Sequence, residues 1–436
     1  MTHQSAAETF PLGQRKVRRS FALGVLNGAL FQFSRALVDP ALVLTWFVSE
    51  LTQSSFLIGL VVPLTKGGWF LPQMFVSGYL QRRPRKLPFY VATGAVRLAC
   101  WAMLAGLTWL VSDRDTLLVA FFVLYSLVQV TAGLAGIPFF DVVAKTIPAT
   151  RRGSLFAWRQ LLGGLLSIAA GWIVKQALNG GLGLPFPRGY AFLLTVSTGV
   201  IALALISFAL IPEPKGAVVE ERVRLGRQIR RAWSLANHDI SFRLYLAARV
   251  ALLFGGIAVP FYTVLAKEVL GAGVEMVGVY LIATQTAALA TNLLWGRLSD
   301  RHGNRSVLRL TTAGKIVTTA LALGLSVLVR SAGLGGWWLP YLMVPVFALE
   351  GALRPAGIIG GSNLLLEIAP PVERPVYLGF ANTVLGLTLL ATSTGGLIVG
   401  HLGFEGLFAL ALVCHSLAFV FSTRLREPRK EGLVSL

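Results

Sequence analysis

Charged side chains stand inside long apolar runs of this sequence, and their spacing indicates chemistry within a membrane. Arg35 and Asp39 are four residues apart, as are Glu350 and Arg354, so each pair would share one face of a helix. Arg249 lies in a third run. An ionisable residue inside a membrane span costs roughly 3 kcal/mol to insert, so such residues usually mark a pathway or a pair. We therefore expect these five residues to form a substrate and proton site.

Three interpretations of these charges stay open. In the first, one of the acids captures and releases a proton. In the second, the three arginines hold an organic anion together with Lys66, which lies in the second apolar run beside Gly67 and Gly68. In the third, each pair neutralises itself as a structural bridge.

Other residues in the apolar runs predict structure rather than chemistry. Arg97 and Lys315 are 218 residues apart, half the chain length, which suggests equivalent positions in a repeat and a structural role such as bridging to a neighbour. Small residues spaced four apart predict close helix packing. These residues are Gly24 with Gly28, and Gly396 with Gly400.

Composition places these charges in a multi-pass membrane protein. Hydrophobic residues make up 55% of the 436 residues, charged residues only 13%, and the mean hydropathy is +0.69. A soluble domain carries about 25% charged residues, so these few polar groups could not cover a water-facing surface. This excludes a soluble enzyme and a disordered chain. It also excludes the nucleic-acid partner that a net charge of +20 would suggest in a soluble protein.

Twelve apolar runs are long enough to cross about 30 Å of hydrocarbon as helices. They lie at 21–49, 56–80, 87–111, 116–140, 154–178, 190–212, 242–269, 275–298, 306–330, 337–363, 375–400 and 403–424. Lys and Arg are concentrated in alternate connecting segments, which predicts that both termini are cytoplasmic. We expect the chain to lie in a plasma membrane, that of a bacterium being the inner membrane, with the lipid bilayer as its surroundings.

Two halves of the chain resemble each other. The loop after the second run starts at Gly78 and the loop after the eighth at Gly296, again 218 residues apart. We therefore predict six-helix bundles at 1–212 and 241–436, joined by a basic cytoplasmic linker at 213–240 that contacts anionic lipid. Two such repeats around a midplane site are an architecture of transporters.

The loop after the eighth run resembles the signature of the major facilitator superfamily, Gly-x-x-x-Asp-Arg-x-Gly-Arg-Arg. Its matching residues are Gly296, Asp300, Arg301, Gly303 and Arg305, whereas the first-half copy has Arg82 where the acid would be. The resemblance implies an all-α fold of two pseudo-symmetric six-helix bundles, with spans one, four, seven and ten lining a central cavity. Span five lacks the glycine–proline motif of many drug–proton antiporters, which argues against a typical multidrug antiporter.

The resemblance implies secondary active transport of a small solute by alternating access, and we expect efflux or exchange coupled to protons or another ion. The alternatives are uptake or exchange of an organic anion, and a non-transporting assembly or sensor protein. The sequence contains no hydrolase motif, no metal-ligand cluster and no phosphate-binding loop. We therefore expect no enzymatic activity, no cofactor and no metal, and we expect a monomer.

Charges at the inner ends of the spans predict a gate. The candidates are Arg82, Asp300, Arg301, Arg151, Arg152, Glu373 and Asp141. In the family fold, the loop after span two lies near the start of span eleven, and the loop after span eight near the start of span five. Arg82 is therefore expected to face Glu373, and Asp300 to face Arg151 or Arg152. Such bridges would exist only in one state of the protein and would bias the equilibrium between states.

Overall fold

The chain was analysed as a computed structural model that describes residues 13–81, 83–216, 239–370 and 374–426. These residues form helices and connecting turns, and none of them lies in a strand. The N-terminal half contains α1 (Gln14–Leu51), α2 (Ser55–Gln81), α3 (Leu87–Leu110), α4 (Arg114–Thr146), α5 (Ala149–Leu178) and α6 (Arg188–Ala209). The C-terminal half contains α7 (Ile240–Glu268), α8 (Met276–His302), α9 (Asn304–Ala332), α10 (Leu339–Ile368), α11 (374–402) and α12 (404–424).

The lengths of these helices agree with the predicted membrane spans. Ten segments of the described chain are long and apolar enough to cross a membrane, and the 48-residue segment Tyr377–Arg424 contains both α11 and α12. These two helices meet at Gly403, whose φ of 68° is non-helical and favours glycine. In α2 the apolar stretch Ser55–Trp69 is shorter. The architecture is consistent with the twelve predicted spans.

Several of the helices, among them α1, α7 and α10, are interrupted by a short turn of another helical type. In α1 the chain leaves the α-helix at Asp39 and continues through a π turn at Pro40–Leu44, because proline has no N–H for the helical ladder. In α7 a 3₁₀ turn occupies Gly256–Ala258, and in α10 a π turn occupies Ile359–Asn363. Such turns free backbone groups inside a membrane, where they are tolerated only beside protein or a water-filled cavity.

The helices of each half pack mainly on one another. In the N-terminal half, α1 contacts α5 and α6, and α4 contacts α2 and α3. In the C-terminal half, α8 contacts α10, and α12 contacts α7 and α9. Buried aromatic rings fill both bundles; Phe121 stacks on Tyr125, and Tyr280 stacks on Phe347.

The two halves meet most closely at one end of the molecule. We name this end the Glu50 face, because Glu50 lies there near the end of α1; the opposite end, which carries the 83–86 loop and Glu213, is the linker face. Gly171 of α5 approaches the backbone of Gly278 of α8, and Gly396 of α11 approaches the backbone of Ser55, all toward the Glu50 face. A Cβ at Gly396 would overlap the backbone of Ser55, and a Cβ at Gly171 would overlap the side chain of Ile282. Close packing is therefore confirmed at Gly396.

The prediction for the other glycines is only partly correct. Gly24 contacts the side chain of Leu155, but the space beside Gly28 is filled by the guanidinium of Arg159, which a Cβ would overlap. Nothing lies within 4 Å of a Cβ built at Gly400. At Gly28 the missing side chain makes room for a cation rather than for a neighbouring backbone.

Candidate functional site

Two arginines from opposite halves face each other at the centre of the molecule. Arg35 of α1 and Arg354 of α10 interact electrostatically, and Arg35 also interacts with Asp39. Both arginine side chains are exposed to solvent although each stands well inside its helix. Arg35 and Arg354 are therefore the candidates for the lining of the predicted central cavity between the halves.

Asp39 has a structural task beside this cavity. Its side chain is buried, and Oδ1 accepts hydrogen bonds from the backbone N–H groups of Ala41 (2.9 Å) and Leu42 (3.1 Å). These donors belong to the first turn after the break in α1 and would otherwise lack a partner. The carboxylate therefore caps the second part of α1, in addition to its electrostatic interaction with Arg35.

Replacing Asp39 tests whether capping is its main task. Asp39→Asn keeps a side-chain oxygen for the two N–H groups, so we expect little loss of stability. Asp39→Ala should cost about 0.5–2 kcal/mol of folding free energy, because it removes the cap. Thermal unfolding in detergent measures both changes. Loss of pH-driven transport in Asp39→Asn, with stability unchanged, would instead assign a proton to this carboxylate.

Glu350 pairs with a different partner from the one that its spacing suggests. Its Oε2 lies 2.5 Å from Nζ of Lys315 on α9, in an ion pair that is largely shielded from solvent. The expected bridge to Arg354, four residues along α10, is replaced by this contact across the α9–α10 interface. Glu350 Oε1 is buried without a hydrogen-bond partner. The carboxylate of Glu350 therefore neutralises Lys315 on the neighbouring helix, and Arg354 keeps its own positive charge.

A buried histidine that the sequence reasoning missed lies next to this pair. His415 of α12 is 1% exposed, and its Nδ1 is 3.0 Å from the hydroxyl of Thr319, which also contacts the Tyr262 hydroxyl at 3.0 Å. His415 interacts electrostatically with Lys315 and Glu350. A lone ionisable residue inside an apolar run was the available signal, because such residues are rare in membrane spans.

Two further arginines stand beside the interrupted helices. Arg249 of α7 donates from Nη1 to the Gly357 carbonyl oxygen (3.2 Å), while its Nε is buried without a partner. A side chain at Gly361 in the α10 π turn would overlap this guanidinium. Arg159 of α5 donates to the carbonyl oxygen of Gly24 (2.6 Å) and to Asn27 Oδ1 (3.1 Å).

Three predicted site residues cannot be placed in this way. Lys66 lies in α2, but its side chain is not among the described ones. Arg82 and Glu373 lie outside the described residues. The pairing of Arg82 with Glu373 therefore stays a prediction.

Asp141 belongs to an ion-pair network on the linker face within the N-terminal half. It binds Nζ of Lys86 and of Lys145, both at 2.5 Å, and Lys145 also binds Glu213 at 3.0 Å. Glu213 accepts hydrogen bonds from the backbone N–H groups of Lys86 and Leu87, both at 2.8 Å, and so caps α3. The network ties α3, α4 and the chain after α6 together. Its described contacts do not cross to the other half, so they do not support a gating role for Asp141.

The remaining gate candidates lie at the ends of their helices. Arg152 donates from Nη2 to the Ala144 carbonyl oxygen (2.7 Å) and from Nε to that of Ile147 (3.0 Å), which satisfies carbonyl groups at the end of α4. Asp300 and Arg301 end α8 near Gly303, whose φ of 82° is left-handed. The predicted pairing of Asp300 with Arg151 or Arg152 stays a prediction.

Polar contacts between the two halves are described at the Glu50 face. Lys267 near the end of α7 forms an ion pair with Glu50 (2.8 Å) and donates to the carbonyl oxygen of Ser49 (3.1 Å). The hydroxyl of Thr263 donates to the carbonyl oxygen of Ala41 (2.8 Å). These contacts join α1 to α7 and close the cavity at this face.

Charge reversal tests this closure. Lys267→Glu should open the Glu50 face, because it places two carboxylates together. A partly exposed pair contributes only about 0–1 kcal/mol, so the ratio of states should shift up to roughly fivefold. Adding Glu50→Lys should restore closure, as measured by the labelling rate of a single cysteine in the cavity. Equal labelling in the single and double variants would show that the pair does not hold the face closed; Lys215→Glu, which reverses an exposed charge on the linker face, is the control.

Together these features define a class of protein. The chain is a multi-pass helical membrane protein in which two exposed arginines, Arg35 and Arg354, one from each half, interact electrostatically. Residues 244–435 match the family model of the Major Facilitator Superfamily. This part of the chain, which lies in the C-terminal half, is therefore similar to that superfamily.

Further comparisons show a partial sequence match to one curated protein and the same fold in solved transporters. A class E tetracycline resistance protein of Escherichia coli is 28% identical over 169 residues, which is 38% of this chain and 38% of that protein. The fold matches a D-xylose–proton symporter with a TM-score of 0.72 and 15% identity, covering 96% of this chain and all of the other. It also matches an inward-facing bacterial homologue of the iron transporter ferroportin with a TM-score of 0.65 and 14% identity, covering 94% and 99%.

Proposed function

We propose that this protein is a secondary transporter that moves a small organic anion across the membrane by alternating access. The observation that carries the proposal is the convergence of Arg35 and Arg354, from opposite halves, on one central cavity. A substrate that contacts both residues would touch both bundles. Its binding free energy would then depend on how the bundles are arranged, which is the requirement for coupling binding to a change of state.

The expected charge of the substrate follows from the contacts that the two nearby acids, Asp39 and Glu350, make. Asp39 accepts two backbone hydrogen bonds, and Glu350 neutralises Lys315. Neither acid therefore cancels Arg354, and the described cavity side chains leave an excess of positive charge. A carboxylate or phosphate group would accept charge-assisted hydrogen bonds from the planar guanidinium groups, which match its geometry.

The contacts between the halves supply the second element of the mechanism. The Glu50 face is closed by Lys267 and by the close packing of Gly171 on Gly278. The exposure of Arg35 and Arg354 indicates that the cavity opens toward the linker face. If the positive-inside prediction is correct, this is the cytoplasmic side, and the structure corresponds to an inward-facing state. Rocking of the bundles would then present the same residues to the other side.

Counterflow in liposomes tests this proposal. Purified protein is first screened by thermal shift against mono- and dicarboxylates, phosphorylated metabolites and cationic drugs, because a bound substrate raises stability by mass action. The best ligand is then loaded into proteoliposomes, and uptake of its labelled form is measured without an ion gradient. We expect exchange of an anion. Exchange of cationic solutes only, or binding that is indifferent to both arginines, would contradict the proposal.

Proton-coupled efflux is the second candidate, because two observations favour it. The ion pair of Glu350 with Lys315 lies beside His415 inside the membrane-spanning region, where a proton could be held. In addition, part of the chain resembles a tetracycline resistance protein. Under this hypothesis Glu350→Gln abolishes accumulation driven by a pH gradient but spares counterflow. Unchanged pH-driven transport in this variant would exclude Glu350 as the proton carrier.

A further inference from the structure

A second cation is buried inside the N-terminal bundle, away from the arginines of the cavity. Arg97 of α3 is 5% exposed, and its Nε and Nη2 have no hydrogen-bond partner among the described residues. Its guanidinium lies over the ring of Phe31 on α1, 4.9 Å from the centroid. Its polar neighbour is the hydroxyl of Tyr90 on the same helix. No described carboxylate contacts Arg97.

The internal repeat allows the surroundings of Arg97 to be compared with those of Lys315 in the C-terminal half. Gly133 of α4 lies against the backbone of α2, and Gly351 of α10 lies against the backbone of α8. These glycines are 218 residues apart, the same separation as Arg97 and Lys315. The 218-residue equivalence therefore holds for two features. It relates the contact of α4 with α2 to that of α10 with α8, and it relates Arg97 to Lys315.

The two halves differ in the residue that neutralises the cation. In the C-terminal half, Lys315 binds the carboxylate of Glu350, which directly precedes Gly351. The residue that directly precedes Gly133 is Ala132. The N-terminal half therefore has a cation, Arg97, but no acid at the position equivalent to Glu350. An uncompensated buried charge is strongly unfavourable, and a contact with one aromatic ring offsets only part of that cost.

We propose that Arg97 holds a single monoanionic group at the position of the missing carboxylate, between α3, α4 and α1. The chemistry fits a small inorganic anion such as chloride, or one carboxylate of a solute. Phe31, whose ring lies under the guanidinium, is only partly buried and lies one helical turn before Arg35 on α1. The site does not depend on whether Arg35 and Arg354 bind the transported solute.

Two substitutions test the site in complementary ways. Thermal unfolding of the purified full-length protein is followed while chloride replaces bulky isethionate at constant ionic strength and pH, and the titration is repeated with acetate. The unaltered protein should be stabilised as the anion saturates its site. Arg97→Gln should lower the apparent chloride affinity about tenfold or more, because it removes the charged donor. Ala132→Glu should abolish the chloride effect while preserving or raising stability without chloride, because an internal carboxylate takes the place of the anion.

The controls separate this site from other cations and from defects in folding. Arg114→Gln removes an exposed arginine at the start of α4 and should leave the chloride response unchanged. If Arg97→Gln does not fold, Ala132→Glu and Arg97→Lys carry the test, the lysine variant being expected to bind chloride more weakly. An unchanged chloride response in Ala132→Glu together with Arg97→Lys would overturn the proposal, as would its loss in Arg114→Gln.

Competition identifies the source of the anion. Bound radioactive chloride is measured with and without the best carboxylate ligand from the thermal-shift screen. Displacement of chloride in the unaltered protein and in Arg354→Gln would show that a solute carboxylate reaches Arg97. Retention of chloride at saturating ligand would show that the group is an inorganic anion. Absence of any Arg97-dependent chloride or acetate binding would overturn this inference and leave the proposal for the Arg35–Arg354 cavity untouched.

Discussion

Replacing Arg354 with glutamine is expected to weaken binding of the transported anion by about 10- to 100-fold. A hydrogen bond to a charged group contributes about 1.5–3 kcal/mol, and each 1.4 kcal/mol corresponds to a factor of ten in the dissociation constant. Arg354 is not neutralised by Glu350, so its full charge is available to a substrate. Arg35→Gln should have a similar effect, because the two residues face the same cavity.

The conservative variant sharpens this prediction. Arg354→Lys keeps the charge but loses the planar pair of donors, so we expect an intermediate affinity. Ligand affinity is measured by thermal shift and exchange rate by counterflow. Arg330→Gln serves as the matched control, because Arg330 pairs with Glu405 near the Glu50 face and is more than half exposed. Equal affinities in Arg354→Gln and Arg330→Gln would show that the cavity arginines do not bind the substrate.

Lys315→Met is expected to be the most destabilising single change described here. It would leave the carboxylate of Glu350 shielded from solvent without its cation, and breaking such a pair typically costs about 3–5 kcal/mol. The midpoint of thermal unfolding in detergent should fall accordingly.

The double variant separates the pair from other contacts of Lys315. Adding Glu350→Gln removes the orphaned charge, so Lys315→Met with Glu350→Gln should be more stable than Lys315→Met alone. The difference gives the coupling free energy of the two residues. Additive losses would show that the ion pair contributes nothing. Lys175→Met, which removes a cation from the end of α5, controls for the loss of any lysine.

The sequence alone determined the class of protein, a helical protein of the membrane, and the approximate spans. Long apolar runs predict membrane helices because each span must satisfy its own backbone hydrogen bonds and cover itself with apolar side chains. These are local requirements, so composition and run length reveal them. The signature around Asp300 and the 218-residue repeat added the two-bundle architecture, with which the fold agrees.

Only the tertiary structure decided which charges neutralise each other. The spacing of Glu350 and Arg354 places both on one side of α10. The packing of α9 against that helix nevertheless brings Lys315 to Glu350, and these two form the ion pair. In the same way, the break at Pro40 turns Asp39 into a helix cap. A charge in a membrane pairs with the nearest complementary group on any neighbouring helix. That choice depends on how the helices are rotated and packed, and spacing along one helix does not encode it.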